Sequence, residues 1–148
     1  MRLLVQRVSK ASVRVSGNEI SKIKNGFLVF IGITHSDTKE VADYLVKKLV
    51  NLRLFEDEND KLNLSLSDVG GELLLVSQFT LYADCSKGNR PSFIKAAGGD
   101  FAKEMYDYFV SRCKELKTVV KEGIFGSNME IDLVNYGPAT VIMEKSST

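Results

Sequence analysis

Apolar positions along this chain change their spacing several times, and each change marks an element. Leu3 to Ser9 is mostly apolar and Ser12-Val13-Arg14-Val15 alternates, which predicts two strands. Ser16-Gly17-Asn18-Glu19 supplies turn chemistry before a short strand at Ile20 to Ile23, and Asn25-Gly26 supplies a second turn. Phe27 to Ile33 is continuously apolar over strand length, the pattern of a strand buried on both faces. Asp37 can cap a helix, with Glu40 completing a capping box. Val41, Ala42, Leu45, Leu49 and Leu52 then fall on one stripe, so a helix is predicted over Thr38 to Leu52. Glu56-Asp57-Glu58-Asn59-Asp60 reads as a solvated acidic turn, because it lacks the glycine and spacing of a calcium loop. Leu73 to Val76 is a short buried strand running into Ser77-Gln78-Phe79-Thr80-Leu81-Tyr82, and Lys87 to Ser92 is a polar loop. Asp100 can cap a second helix over about 100–116, with Phe101, Met105, Tyr108, Phe109, Cys113 and Leu116 as its stripe. Strands return at Val119 to Glu122, Met129 to Val134 and Thr140 to Met143, with Asn135-Tyr136-Gly137-Pro138 between the last two. Strands, helix, strands, helix, strands is not the regular alternation of a doubly wound sheet. The pattern predicts an α+β fold, a mostly antiparallel barrel-like sheet with two covering helices.

Length and composition narrow this picture. A chain of 148 residues favours one domain spanning 1–148, and 44% hydrophobic residues suffice for a core. No run approaches the ~18 apolar residues of a spanning helix. The first residues lack the apolar region and cleavage site of a signal peptide. Cys85 and Cys113 lie far apart in no metal-like spacing, so a reducing cytoplasm is the simplest location. A net charge of +1 argues against a long nucleic-acid footprint and leaves room for a local contact with a nucleic-acid end.

Several familiar reaction centres have no counterpart here. There is no Gly-x-Ser-x-Gly elbow, no His-Glu-x-x-His or paired Cys-x-x-Cys, and no glycine-rich phosphate loop, so neither a metal nor a cofactor is expected. The single histidine, His35, lies in polar Thr34-His35-Ser36-Asp37 and reads as an exposed loop residue; the two cysteines read as packing residues. An undemanding reaction stays open. Hydrolysis of an activated ester needs positioning and a site for the developing oxyanion, and backbone N–H groups can supply both. Two segments stand out. Ser77 to Tyr82 places polar side chains after a buried strand, and Asn135 to Thr140 contains Gly137-Pro138 between strands. Taken singly, they read as a strand edge and a hairpin connection.

Together they carry a resemblance. Ser77-Gln78-Phe79-Thr80-Leu81-Tyr82 resembles the Ser-Gln-Phe-Thr-Leu-Tyr motif of D-aminoacyl-tRNA deacylases, and Asn135-x-Gly137-Pro138-x-Thr140 resembles their second motif. Val5-Gln6-Arg7-Val8 and Arg90-Pro91-Ser92-Phe93 also match the pattern, so the similarity spans nearly the whole chain. Tyr136 and Ala139 stand where Asp and Val are most expected, which affects only local packing.

The resemblance implies a homodimer with its sites at the interface and an aminoacylated tRNA 3′ end as partner. It implies a cis peptide at Gly137-Pro138 that reaches into the other subunit's pocket, helped by Arg7. There, a rim of carbonyls would bind the substrate's α-ammonium and exclude an L side chain by clash. The amides of Phe79 and Thr80 would bind the oxyanion, with Ser77 and Gln78 orienting the terminal ribose and adenine. Thr80 Oγ as a nucleophile is the competing idea, without a base to activate it. Lys87, Arg90 and Lys95 form either a phosphate contact or a solvated basic loop. Two other functions remain to be separated: an RNA-end binding module without catalysis, and a small hydrolase of free D-amino-acid esters.

Overall fold

The computed structural model describes residues 1–148. β1 (Arg2–Val15) is one strand of 14 residues where the apolar pattern predicts two. The pattern breaks because the ladder is irregular. Pairing with β8 (Glu130–Glu144) changes register between Gln6 and Val8 and again between Val8 and Lys10. Such bulges bend a strand and re-aim its side chains. Leu3 and Val5 thus enter one core, and Val8, Ala11 and Val13 enter a second on the other side of the sheet.

β1 pairs antiparallel with β2 (Asn18–Ile23) over its second half, with β3 (Gly26–Gly32) over its first half, and with β8 along its other edge. β3 then pairs in parallel with β6 (Glu72–Ser77), and β6 in parallel with β7 (Val120–Glu122). Ser21 Oγ on β2 donates to the Glu122 carbonyl on β7, which curls the mostly antiparallel sheet toward a barrel. β3 is buried almost throughout, as its unbroken apolar run requires. Gly26 opens it against the Glu72 backbone, where a Cβ would collide with main-chain atoms.

The two parallel contacts need crossovers, and the helices provide them. α1 (Lys39–Asn51) buries Val41, Ala42, Leu45, Val46 and Leu49; α2 (Gly99–Lys114) buries Ala102, Met105, Tyr106, Phe109, Val110 and Cys113. Both cover the larger core. The buried face of α2 is rotated from the predicted stripe, so Tyr106 is inside and Phe101 exposed. Neither predicted cap holds. Thr38, not Asp37, caps α1 by accepting from the Val41 N–H. Asp37 is buried, paired at 2.6 Å with the Met1 ammonium and accepting from the Thr34 N–H, and the Glu40 box does not form. Gly98 caps α2 without a side chain, and Gly99 at φ +60° makes the left-handed approach to the helix. Asp100 lies inside the first turn, where its charge favours the positive helix end. A hairpin of β4 (Phe55–Glu56) and β5 (Leu62–Leu64) frames the acidic turn. Its Asp57 carboxylate accepts from the Asn59 and Lys61 amides, which lowers its pKa. No helix is long and apolar enough to cross a membrane.

The core carries its own pH dependence. Burial pushes the Cys113 thiol up to about 12, and burial next to Glu122 raises the Tyr106 phenol. Both groups stay neutral in the fold while the unfolded chain can lose their protons. Their contribution is therefore complete below the unfolded pKa values and falls as pH rises through them. Urea denaturation is expected to show a stability plateau up to about pH 8 and a loss of roughly 1–2 kcal/mol by pH 10 from Cys113 alone. Cys113→Ala should flatten that slope.

Candidate active site

The C-terminal end of β6 delivers the first motif. Ser77 is the last residue of the strand, and Phe79–Tyr82 turn at once into a short 3-10 helix instead of continuing as a strand edge. The turn is fixed from beneath. The Gln78 N–H donates to the Ile31 carbonyl at 2.8 Å. Gly32, the last residue of β3, leaves its own Cβ space to the turn, since a Cβ there would lie 2.9 Å from Leu81 Cβ. Tyr82 is buried, and desolvation raises its phenol to about 12.

Ser77, Gln78 and Phe79 line a cavity of about 740 Å³, the larger of the two principal cavities. Ile31, Ile33, Val76 and Ala102 contribute apolar surface to it, and the 125–129 segment contributes a further wall. Phe79 meets Phe93 edge-on at 5.2 Å on its rim. The N–H groups of Phe79 and Thr80 donate to no acceptor in the chain. As the first amides of the 3-10 helix they have no preceding turn to bond to. Gln78 Nε2 donates to Thr80 Oγ1, and neither a histidine nor a carboxylate touches that hydroxyl. The arrangement offers two adjacent main-chain donors, that of Phe79 on a residue lining the half-apolar cavity and that of Thr80 on its neighbour, which does not line it, with a hydroxyl held by an amide and no base on it.

The second motif sits elsewhere. Asn135 to Thr140 is not a hairpin: β8 runs unbroken through it, in place of the two predicted strands. From Asn135 to Thr140 β8 advances five residues while its partner advances two, from Val8 to Gln6, so three extra residues bulge from the ladder. Asn135 closes the neck. Its Nδ2 donates to the Arg7 and Ala139 carbonyls at 3.1 and 3.0 Å, and its Oδ1 accepts from Thr140 Oγ1 at 3.2 Å. Arg7, only 3% exposed, donates to the Tyr136 carbonyl at 3.0 Å and the Leu54 carbonyl at 2.9 Å, with Glu56 at 3.5 Å. Gly137-Pro138 is cis, with Gly137 at φ +122° and its α-carbon against the Arg7 guanidinium, where a Cβ would collide. Arg7, Gly137 and Pro138 are thus one cluster and Ser77 to Thr80 another. Gly137 and Pro138 are exposed and line no part of their own chain's cavity.

The family described as D-Tyr-tRNA(Tyr) deacylase matches residues 4–144. The chain belongs to that family. Among its relatives, a D-aminoacyl-tRNA deacylase of Clostridium novyi is 56% identical over 144 residues, covering 97% of each chain. One from Thermosipho africanus is 51% identical over 97% of each chain. A solved structure titled c-Myc DNA Unwinding Element Binding Protein superposes with a TM-score of 0.93 at 39% identity, covering 99% of this chain and 100% of that one. A probable eukaryotic D-amino acid tRNA deacylase superposes at 0.82 with 18% identity over 96% and 97%, a likeness of fold.

In this deacylase-family chain the remaining candidates lie apart from the cavity. Lys87 and Arg90 are exposed on a loop whose base is pinned by pairing of Asp84 with Ser92. Lys95 is exposed, and its carbonyl accepts from Thr34 Oγ1. His35 is exposed, with Nε2 2.7 Å from the Ile94 carbonyl. Cys113 is a packing residue, whereas Cys85 is exposed and is not. The sequence reading missed Phe93, Phe125, Ser127, Asn128 and Met129 as cavity residues. Asn128 and Ser127 had only their polarity between two strands as a signal, and the others none.

Asn135 satisfies two carbonyls with one amide, so Asn135→Ala leaves both without that donor. Chemical denaturation should show a loss of about 1–3 kcal/mol. Asn135→Asp should lose a similar amount, because a carboxylate cannot donate to either carbonyl.

Proposed function

We propose that this chain hydrolyses the ester between a D-amino acid and the 3′-terminal adenosine of tRNA, freeing the tRNA and rejecting L-aminoacyl esters. Glycine on tRNA is a further substrate. The observation that carries the chemistry is the pair of unpartnered amides of Phe79, which lines the cavity, and of Thr80 next to it. Membership of the deacylase family, and relatives named D-aminoacyl-tRNA deacylase at about half identity over the full chain, supports the substrate.

The chemistry follows from this placement. Water adds to the ester carbonyl carbon, and the carbonyl oxygen takes up negative charge facing the two N–H groups. Fixed main-chain dipoles stabilise that charge without reorganising. Collapse expels the 3′-oxygen, which takes a proton, and the free acid leaves. Ser77 and Gln78 orient the terminal ribose and adenine. The substrate's 2′-hydroxyl assists proton transfer, which suits a site with no side-chain base. Thr80 Oγ is a poor nucleophile here: its contact is the Gln78 amide donor, and no base reaches it.

Handedness is sorted by a second copy of the chain. The outer edge of β8 has no partner strand, and exposed Val134, Tyr136 and Ile142 lie along it. Unpaired edges with apolar side chains are sites of association. Gly137-Pro138 lies exposed in that same strand and lines no part of its own cavity, so it serves the cavity of the partner in a cytoplasmic homodimer. Its carbonyls receive the α-ammonium, and its backbone occupies the space an L side chain would need. Arg7 holds the element from behind, while a D side chain points outward.

Incubation with matched D- and L-aminoacyl-tRNA is expected to release amino acid from the D form alone. Binding without release would instead indicate an RNA-end module, and turnover of free D-amino-acid esters without tRNA a general hydrolase. Thr80→Ala should keep kcat within about tenfold of the parent; abolished turnover in a folded protein would make Thr80 the nucleophile. Lys87 and Arg90 touch phosphates near the tRNA end. Replacing both with alanine should reduce the slope of log affinity against log salt by about 1–2.

A further inference from the structure

Resting on the hydrolytic reading above, we propose that Arg2 is a positioning residue that locks the 3-10 helix carrying the Phe79 and Thr80 amides. The helix is four residues long and has few bonds of its own. Its carbonyls are satisfied in an uneven way. Gln78 O accepts from the Leu81 N–H at 3.2 Å, and Thr80 O accepts from the Ala83 N–H at 3.1 Å. Continuing the pattern would bring the Asp84 N–H to Leu81 O. That N–H goes instead to the Ser92 carbonyl at 2.8 Å, where the chain departs into the 85–91 loop. Arg2 Nη1 takes the vacated role, donating to Leu81 O at 2.9 Å.

The guanidinium is held on two further sides. Its carbon lies 4.5 Å from the Tyr82 ring centroid, within cation–π range. Its Nε lies 3.1 Å from a Glu144 carboxylate oxygen. Arg2 sits opposite Gly32 on β3 and opposite Glu144 on β8, so the two neighbouring strands place it directly beside the turn. The helix is therefore fixed at its start by Gln78 on Ile31, beneath by the bare backbone of Gly32, and at its end by Arg2. With so short a helix, a tilt at Leu81-Tyr82 re-aims the amides two residues earlier. Small displacements of groups facing a transition state cost large factors in rate while leaving ground-state binding nearly unchanged. The Arg2 side chain is about one-third exposed, so its removal opens a surface notch and not a core void.

The test compares the parent chain with Arg2→Ala, Arg2→Lys and Glu144→Gln, by steady-state deacylation of D-aminoacyl-tRNA and by amide proton–nitrogen spectra. Arg2→Ala is expected to lower kcat by about tenfold to a hundredfold with KM within about twofold, and to shift the Phe79 and Thr80 amide resonances. Arg2→Lys should recover part of kcat, since one donor to Leu81 O remains while the planar contact with Tyr82 is lost. Glu144→Gln should lose less, in the same direction. The proposal is overturned by an Arg2→Ala kcat within about twofold of the parent, by a loss confined to KM, or by unmoved Phe79 and Thr80 resonances. If Arg2→Ala does not fold, Arg2→Lys and Glu144→Gln decide on the same criteria, and parental kcat in both overturns it. A parent that releases no D-amino acid refutes the hydrolytic reading, and the resonances alone then judge the role of Arg2.

Discussion

The ladder between β1 and β8 is the constraint on which the other features hang. It is long, antiparallel and twice out of register, and each irregularity has a use. Near its middle, β1 leaves one core for the other, so a single strand supports both faces of the sheet. At the same level β8 throws out three residues, and a buried guanidinium from β1 holds the bulge by the Tyr136 carbonyl. At the end of the ladder, Arg2 and Glu144 meet across the pair and reach the 3-10 helix after β6. A buried cation such as Arg7 is tolerable only when its donors are occupied, and here the occupants are main-chain carbonyls of two separate segments together with Glu56. The arginine thereby ties the β4 region to the bulge.

The same economy marks the cavity. The chemistry proposed for it rests on peptide amides, and its side chains are largely apolar. Parallel strands β3 and β6 end together beneath it, and Gly32 at the end of β3 lets the turn settle onto bare backbone. Polar side chains around both clusters mostly hold other parts in place. Gln78 reaches Thr80 and Arg2 reaches Leu81 near the cavity, and Asn135 reaches the Arg7 and Ala139 carbonyls at the bulge. A site of this kind works by placement, which suits an ester already activated by its alcohol.

Much of this was legible in the residues, for identifiable reasons. The two helices announced themselves because each buries one stripe, and β3 because it is apolar on both faces. The strand ends near 9–11 and 135–139 were misread because a bulge and a Gly-Pro pair break alternation just as a true end would, while the ladder continues past both. The Asp37 cap failed because a buried cation competes for the carboxylate, leaving the hydroxyl of Thr38 for the helix. Of the site, both motifs were visible as strings. That they form separate clusters within one chain came only with the family resemblance, because chain order says nothing about which face of β8 the bulge takes. That the Phe79 and Phe93 rings meet as a rim, and that Phe125 and Met129 form a wall, gave no signal, since apolar residues look alike whether they face a core or a cavity.

Donors that belong to the peptide backbone have an unusual kind of permanence. Exchange of Phe79 or Thr80 for almost any other amino acid leaves the N–H where it was; proline alone deletes it. Drift at these two places can therefore alter ring packing or a hydroxyl without erasing the dipoles. On the proposed mechanism, inactive descendants of this fold would be recognised less by altered letters at 79 and 80 than by a lost glycine at 32 or an inserted residue that pushes the little helix off its seat.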